Sequence, residues 1–125
     1  GNQEMQLYNI YPQGNFICAT KDTPFFQIGE SKYGKPILDR ALSYDMPLDQ
    51  ALRCSLISFD STLRSNVSVG LPLDCFVYQI DSLHIPIGKR IYEEDPYFAN
   101  ISKQWSETLR KGLHELPTPT ADYLE

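Results

Sequence analysis

Apolar residues recur at spacings of three and four in three segments of the chain, and this spacing predicts amphipathic helices. The longest run covers residues 46–65, where the apolar positions are Leu48, Ala51, Leu52, Leu56, Phe59 and Leu63. A second run covers residues 96–116, where the apolar positions are Phe98, Ile101, Trp105, Leu109 and Leu116. A shorter helix is predicted over residues 35–44, where the apolar positions are Ile37, Leu38, Ala41 and Leu42.

Polar residues and prolines predict where these helices begin. Ser31 is a candidate N-cap for the first helix, and Asp45 with Pro47 is a start signal for the second. The acidic run 93–95, followed by Pro96, indicates the start of the third helix, because negative charge is favoured at a helix N-terminus. Each helix is therefore expected to begin at a polar boundary.

Four segments rich in aromatic and β-branched residues predict strands, over residues 5–11, 16–28, 71–80 and 84–92. Turn residues at 12–15 and 81–82 join them in pairs, which predicts antiparallel hairpins. The order is then β-β-α-α-β-β-α, an α+β fold. We expect one antiparallel sheet with the helices packed on one face.

Length and charge limit the class of protein. A chain of 125 residues suits one domain, expected over residues 1–116, with an irregular acidic tail over residues 117–125. The net charge of −5 argues against nucleic-acid binding, because no basic field would attract phosphate. No stretch approaches the ~18 apolar residues of a membrane span, and no signal-peptide pattern opens the chain. We expect a cytoplasmic protein without a membrane partner.

Cysteines and histidines do not form a metal or nucleophile pattern. Cys18, Cys54 and Cys75 are odd in number and widely spaced, which favours free thiols in a reducing compartment. His84 and His114 have no partner at a useful spacing. No metal and no cofactor is therefore predicted.

Two polar segments carry the most chemical information. Residues 64–70 read Arg-Ser-Asn-Val-Ser-Val-Gly, between a predicted helix and a predicted strand, where small hydroxyl side chains can reach a reacting group. Residues 28–40 contain Ile-Gly-Glu-Ser and Tyr-Gly, followed by Leu-Asp-Arg. These segments resemble the Arg-Asp-x-x-Ser-Gly-Gly and Gly-Ser-Gly segments of proteasome beta subunits. The fuller runs, residues 26–39 and 58–72, resemble the bacterial ancestral-beta-subunit peptidases, called Anbu.

The resemblance extends over roughly residues 5–116 and implies both a fold and a chemistry. The implied fold is the C-terminal portion of the α-β-β-α sandwich of N-terminal-nucleophile (Ntn) hydrolases. In that family an N-terminal threonine, serine or cysteine attacks the amide bond, and its own α-amine serves as the base. Residue 1 here is Gly1, so no catalytic residue is assigned in this chain, and the chain alone is expected to be an inactive part of a peptidase subunit.

The resemblance also implies which positions would support the nucleophile. Glu30 takes the place of the serine in the Gly-Ser-Gly loop, and Ser31 follows it. Ser65 takes the place of the aspartate in Arg-Asp-x-x-Ser, and Ser68 matches the serine of that segment. Two of these positions depart from the proteasome pattern. The hypothesis is that the Glu30 carboxylate orients the amine of the nucleophile.

Other interpretations of the same residues stay open. Ser65 and Ser68 can satisfy backbone groups at a helix C-terminus, and Glu30 with Lys32 can be a solvated pair on a loop. The chain can also be a non-catalytic α/β assembly module, which its 8 Tyr and 6 Phe would suit. An exposed apolar face or strand edge is expected to drive self-association or binding to other proteasome-like subunits. The residues expected at that surface are Leu71, Leu73, Phe76 and Tyr78.

Overall fold

The computed structural model describes residues 4–125, and its elements follow the predicted α+β order. The elements are β1 (Tyr8–Ile10), β2 (Phe16–Cys18), α1 (Lys35–Ala41), α2 (Leu48–Ser65), β3 (Leu73–Cys75), β4 (Lys89–Ile91), α3 (Pro96–Glu115) and a 3₁₀ turn (Ala121–Tyr123). The chain divides into two compact units, Gly1–Glu93 and Glu94–Glu125.

The strands form two antiparallel hairpins, as predicted, but the hairpins do not join into one sheet among the described residues. In the first hairpin Tyr8 lies opposite Cys18, and in the second Leu73 lies opposite Ile91. Each strand has three residues, far fewer than the predicted segments. The prediction of a single sheet was therefore wrong in this respect. Apolar alternation marks a segment that suits a strand, whereas a strand also needs a neighbouring backbone.

Helices α1 and α2 pack closely because a glycine stands at their contact. A side chain at Gly34 would place its Cβ atom 2.8 Å from both the Ser58 carbonyl oxygen and the Thr62 hydroxyl oxygen. Ser58 and Thr62 are buried, and the Thr62 hydroxyl donates a hydrogen bond of 3.0 Å to the Ser58 carbonyl. The polar face of α2 therefore lies against the start of α1, while Leu38 and Leu56 contribute buried apolar side chains.

The structure gives the first helix the predicted start at Lys35, but two of the predicted capping residues were wrong. The residue that precedes α1 is Gly34, not Ser31, and no side chain caps that helix. The residue that precedes α2 is Pro47, so Asp45 lies too far from the first helical residue to cap it. The start of α3 is as predicted: Asp95 is the N-cap, and its carboxylate accepts a hydrogen bond of 2.9 Å from the Phe98 amide.

The hydrophobic core is small for a chain of this length. Among residues 4–125, the buried hydrophobic side chains are Leu38, Leu56, Ile91 and Phe98. None of the described large side chains is less than 2% exposed. In α3 the apolar stripe is buried at Phe98, whereas Leu109 and Leu113 are 53% and 71% exposed. Much apolar surface is therefore left on the outside of both units.

Candidate functional site: a hydrogen-bonded junction of two loops

The loop that contains Glu30 meets the turn that follows α2. One oxygen of the Glu30 carboxylate accepts a hydrogen bond of 2.8 Å from the Lys32 amide, within its own loop. The other oxygen accepts a hydrogen bond of 3.2 Å from the Asn66 side-chain amide, 36 residues away in sequence. Glu30 thus links the two polar segments, residues 28–40 and 64–70.

Asn66 is the centre of this junction because both the nitrogen and the oxygen of its side-chain amide form hydrogen bonds. Its carbonyl oxygen accepts one hydrogen bond of 3.0 Å from the Ser68 amide and another of 2.6 Å from the Ser68 hydroxyl. Its own backbone amide donates to the Thr62 carbonyl oxygen at 2.8 Å, at the C-terminus of α2. A side chain that bonds the backbone two residues ahead forms an Asx turn, which asparagine favours. We call Glu30, Asn66 and Ser68 the junction.

The junction contains two of the four predicted site residues. Glu30 and Ser68 belong to it, whereas Ser31 and Ser65 are exposed and lie outside it. Ser65 is the last residue of α2, where the predicted helix end is confirmed. Asn66 was not among the predicted site residues, although an asparagine at a helix end two residues before a serine is a signal for an Asx turn.

The hydrogen bonds determine what the junction can do chemically. The Ser68 hydroxyl donates its proton to an amide oxygen, which is not a base, so it lacks the activated pairing of a serine nucleophile. The lone pairs of the Ser68 oxygen and the Glu30 carboxylate can instead accept hydrogen bonds. These acceptors suit the binding and orientation of an amine or another hydrogen-bond donor.

An apolar cleft adjoins the junction. It has a volume of about 380 Å³, and Glu30 lies on its wall. Its apolar lining includes Phe25, Phe26, Ile28, Leu38, Leu42 and Phe59. The Gln27 side-chain nitrogen donates to the Glu30 carbonyl oxygen at 2.6 Å, while the Gln27 side-chain oxygen is buried without a hydrogen-bond partner. The walls of the cleft are therefore mainly apolar.

Other groups offer little additional chemistry. Burial raises the pKa of the Cys54 thiol, which disfavours the reactive thiolate. Within residues 4–125, no three His, Cys, Asp or Glu side chains are grouped to hold a metal ion. No helix of that same region is both long and apolar enough to cross a membrane.

Comparison with known proteins identifies similar solved structures, while no protein-family model and no curated protein matches. The Anbu complex of Pseudomonas aeruginosa, solved as a helical assembly, is 64% identical with a TM-score of 0.89, over 94% of this chain and 49% of that chain. Anbu of Yersinia bercovieri is 62% identical with a TM-score of 0.87, over 92% and 49%. A Gly-1 mutant of Anbu from Hyphomicrobium sp. strain MC1 is 52% identical with a TM-score of 0.88, over 93% and 50%.

The α+β element order and the close structural match define a proteasome-like fold. The chain belongs to the Anbu (ancestral beta-subunit) family, as the resemblance in its sequence predicted. It spans about half the length of the Anbu chains that it matches, and it corresponds to their C-terminal portion.

Proposed function

We propose that this chain supplies one wall of an Anbu-type Ntn peptidase site, with the junction beside the nucleophile. In the resembled family the nucleophile is the first residue of the subunit, in the half that this chain does not span. The chain on its own is then inactive. The observation that most supports this proposal is the Asn66 link, because it joins the two segments that resemble the proteasome motifs.

The proposed chemistry assigns the junction the task of orienting the nucleophile's α-amine. The Ser68 oxygen and the Glu30 carboxylate would accept hydrogen bonds from that amine. When the amine takes the proton of the nucleophile, it becomes positively charged, and a nearby carboxylate stabilises the charged form. Glu30 would therefore favour proton transfer without touching the scissile bond, as a positioning residue.

A kinetic experiment in a complete subunit tests this role. The chain is joined to the N-terminal half of the P. aeruginosa Anbu subunit, and hydrolysis of peptide and amide reporters is measured across pH. We expect Glu30→Gln and Ser68→Ala each to lower kcat/KM about tenfold, equal to about 1.4 kcal/mol of transition-state stabilisation. Glu30→Gln should also shift the pH profile, because it removes a charge beside the base.

Ser65→Ala is the matched control, because Ser65 is an exposed serine just outside the junction. We expect it to leave the rate within about twofold of the unmodified subunit, an energy change of about 0.4 kcal/mol. Equal rates for Glu30→Gln and the unmodified joined subunit would refute the assigned role of Glu30.

A second candidate function is a non-catalytic assembly module, and a specific observation favours it. Two of the residues expected at an association surface, Phe76 and Tyr78, are 67% and 39% exposed, while Leu71 and Leu73 are half-buried. The loop that follows carries further exposed apolar residues, namely Ile80, Leu83, Ile85 and Ile87. Because the similar P. aeruginosa protein forms a helical assembly, we propose that this chain also self-associates. Hydrolysis of peptide reporters by the joined subunit would support the peptidase proposal, whereas its absence would favour the assembly module.

A further inference from the structure

The side-chain amide of Asn66 has a fixed orientation, because its two neighbours allow only one. The Ser68 backbone amide is a donor only, so the atom that faces it at 3.0 Å must be the Asn66 side-chain oxygen. The Glu30 carboxylate is an acceptor only, so the atom that faces it at 3.2 Å must be the Asn66 side-chain nitrogen. A flip of the amide would break both contacts.

This orientation determines where the proton of the Ser68 hydroxyl lies. The hydroxyl oxygen is 2.6 Å from the Asn66 side-chain oxygen, which is an acceptor only, so the proton lies between these two atoms. A serine hydroxyl has a single proton, and its lone pairs remain open. Ser68 is exposed and Glu30 is partly exposed, so a group from outside this chain can reach both. Ser68 is thus held as an acceptor, as Glu30 is.

A neutral amine that acts as a base needs acceptors around it rather than donors. Its N–H groups donate, whereas its lone pair takes the proton. When Glu30 and Ser68 accept from the N–H groups, the lone pair stays free for the proton of the nucleophile. The bond between that proton and the nucleophile then breaks, its electron pair stays on the nucleophile, and a new N–H bond forms on the amine. A Ser68 hydroxyl that was free to rotate would donate to the same lone pair and compete with this transfer.

We propose that Asn66 is a positioning residue, which holds Ser68 as a hydrogen-bond acceptor and so keeps the lone pair of the nucleophile's α-amine free. The inference rests on the proposed function and adds a residue at a position that the proteasome motif does not specify. An amide is needed there because it both accepts and donates. A carboxylate at this position would keep the bonds from Ser68 and lose the bond to Glu30, while a methyl group would lose all of them.

The acid limb of the pH profile, the fall of kcat/KM towards low pH, tests this role in the joined subunit, because that limb reports protonation of the base. Asn66→Ala frees the Ser68 hydroxyl to donate to the neutral amine, which lowers the pKa of the amine. We therefore expect its acid limb to move to lower pH by about half a unit, and its plateau to fall about tenfold. Asn66→Asp keeps Ser68 as an acceptor and adds a negative charge, so we expect its acid limb to move to higher pH by about half a unit.

A double variant ties the first of these shifts to Ser68. When Ser68→Ala is already present, no hydroxyl remains to donate, so adding Asn66→Ala should leave the acid limb unmoved. Asn100→Ala is the control, because Asn100 is exposed and its side-chain oxygen accepts from Gln104 within α3, at 3.3 Å. Lys32 and Arg64, the other charged side chains beside the junction in sequence, are the same in every variant. Circular dichroism over the same pH range checks that each variant is folded.

The results separate this inference from the proposed function. Opposite shifts for Asn66→Ala and Asn66→Asp, with the first shift absent in the Ser68→Ala background, would support the role of Asn66. Hydrolysis with an unmoved acid limb in both variants, or with the same shift in both, would overturn that role and leave the proposed function standing. No hydrolysis by the unmodified joined subunit would overturn the proposed function, and this inference with it.

Discussion

At the scale of single residues, Asn66 holds the candidate site together although the proteasome motif specifies no residue at its position. Glu30 and Ser68 were predicted because they occupy positions of the proteasome segments. Asn66 occupies a variable position of the same segment, and its importance appears only when Glu30 comes within 3.2 Å of its side chain. Contacts between residues 36 positions apart depend on the tertiary fold, which a local pattern does not specify.

Replacing Asn66 should therefore destabilise the chain. Asn66→Ala removes the hydrogen bond to the Glu30 carboxylate and both bonds from Ser68. We expect the free energy of unfolding to fall by about 1–2 kcal/mol, the range for a few partly exposed hydrogen bonds of which one involves a charge. Urea denaturation measures this, with the exposed Ser65→Ala as control. Equal midpoints for the two variants would mean that the junction contributes nothing to stability.

The close contact between Gly34 and α2 leads to a second prediction at the scale of single residues. An added methyl group would lie 2.8 Å from the Ser58 carbonyl oxygen, which cannot move without distorting α2. We expect Gly34→Ala to cost about 1–3 kcal/mol through overpacking. Gly112 in α3 is the matched control, because a methyl group there meets nothing within 4 Å. Gly112→Ala should stabilise its helix by up to about 1 kcal/mol, since alanine is the better helix former. A Gly34→Ala chain as stable as the wild type would contradict the close contact.

At the scale of elements, the sequence predicted helices better than strands. The periodic spacing of Leu52, Leu56 and Leu63 extends over several turns, and α2 ends within a residue of the expected position. The strands are shorter than predicted because strand pairing depends on a second segment of chain. Residues 25–28 have strand-like composition without a backbone partner in the described chain. Ser31 and Asp45 do not cap these helices because Gly34 and Pro47 occupy the positions directly before α1 and α2.

The second hairpin provides a pH-dependent prediction. Arg90 donates two hydrogen bonds across the strands to Asp74, at 2.7 and 2.9 Å. Hydrogen bonding from Arg90 is the main reason that the pKa of the Asp74 carboxyl is lowered. A lowered folded pKa means that this pair contributes stability above the unfolded value of about 4, and that the contribution is lost as the pH falls through the folded pKa.

The thermal midpoint measured at pH 7 and at pH 3 checks this prediction. Asp74→Asn should lower the midpoint at pH 7, and it should lose less further stability than the wild type on acidification. The effect should be small and should weaken with added salt, because both side chains are about half exposed. Glu107→Gln, which changes an exposed carboxylate on α3, is the control. Parallel pH profiles for wild type and Asp74→Asn would contradict the assigned role.

At the scale of the whole molecule, the small core and the exposed apolar surface have one explanation. We propose that the half of an Anbu-type subunit that this chain does not span covers these surfaces. The sequence motifs identified the family, but only the structure shows how few side chains are buried. We therefore expect the isolated chain to self-associate, because exposed apolar patches of this kind drive association.

Light scattering at micromolar concentration measures this association. The expected species is a dimer or larger, with an interface above roughly 1,000 Å², the level of specific contacts. Phe76→Ser should weaken the association, because Phe76 is 67% exposed in the loop after β3. Leu48→Ser, on the first turn of α2, is the control. A monomer over the whole concentration range would contradict this prediction, because it would show that the exposed apolar faces do not bind a second copy.

The most direct test of the central claim compares amide hydrolysis by the isolated chain and by the joined subunit. The claim is that this chain supports a nucleophile which lies in the other half of an Anbu subunit. We expect no hydrolysis of peptide or amide reporters by the isolated chain, and hydrolysis once the N-terminal half of P. aeruginosa Anbu is joined to it. Robust turnover by the isolated chain that Ser68→Ala abolishes would contradict the account and assign the active site to this chain itself.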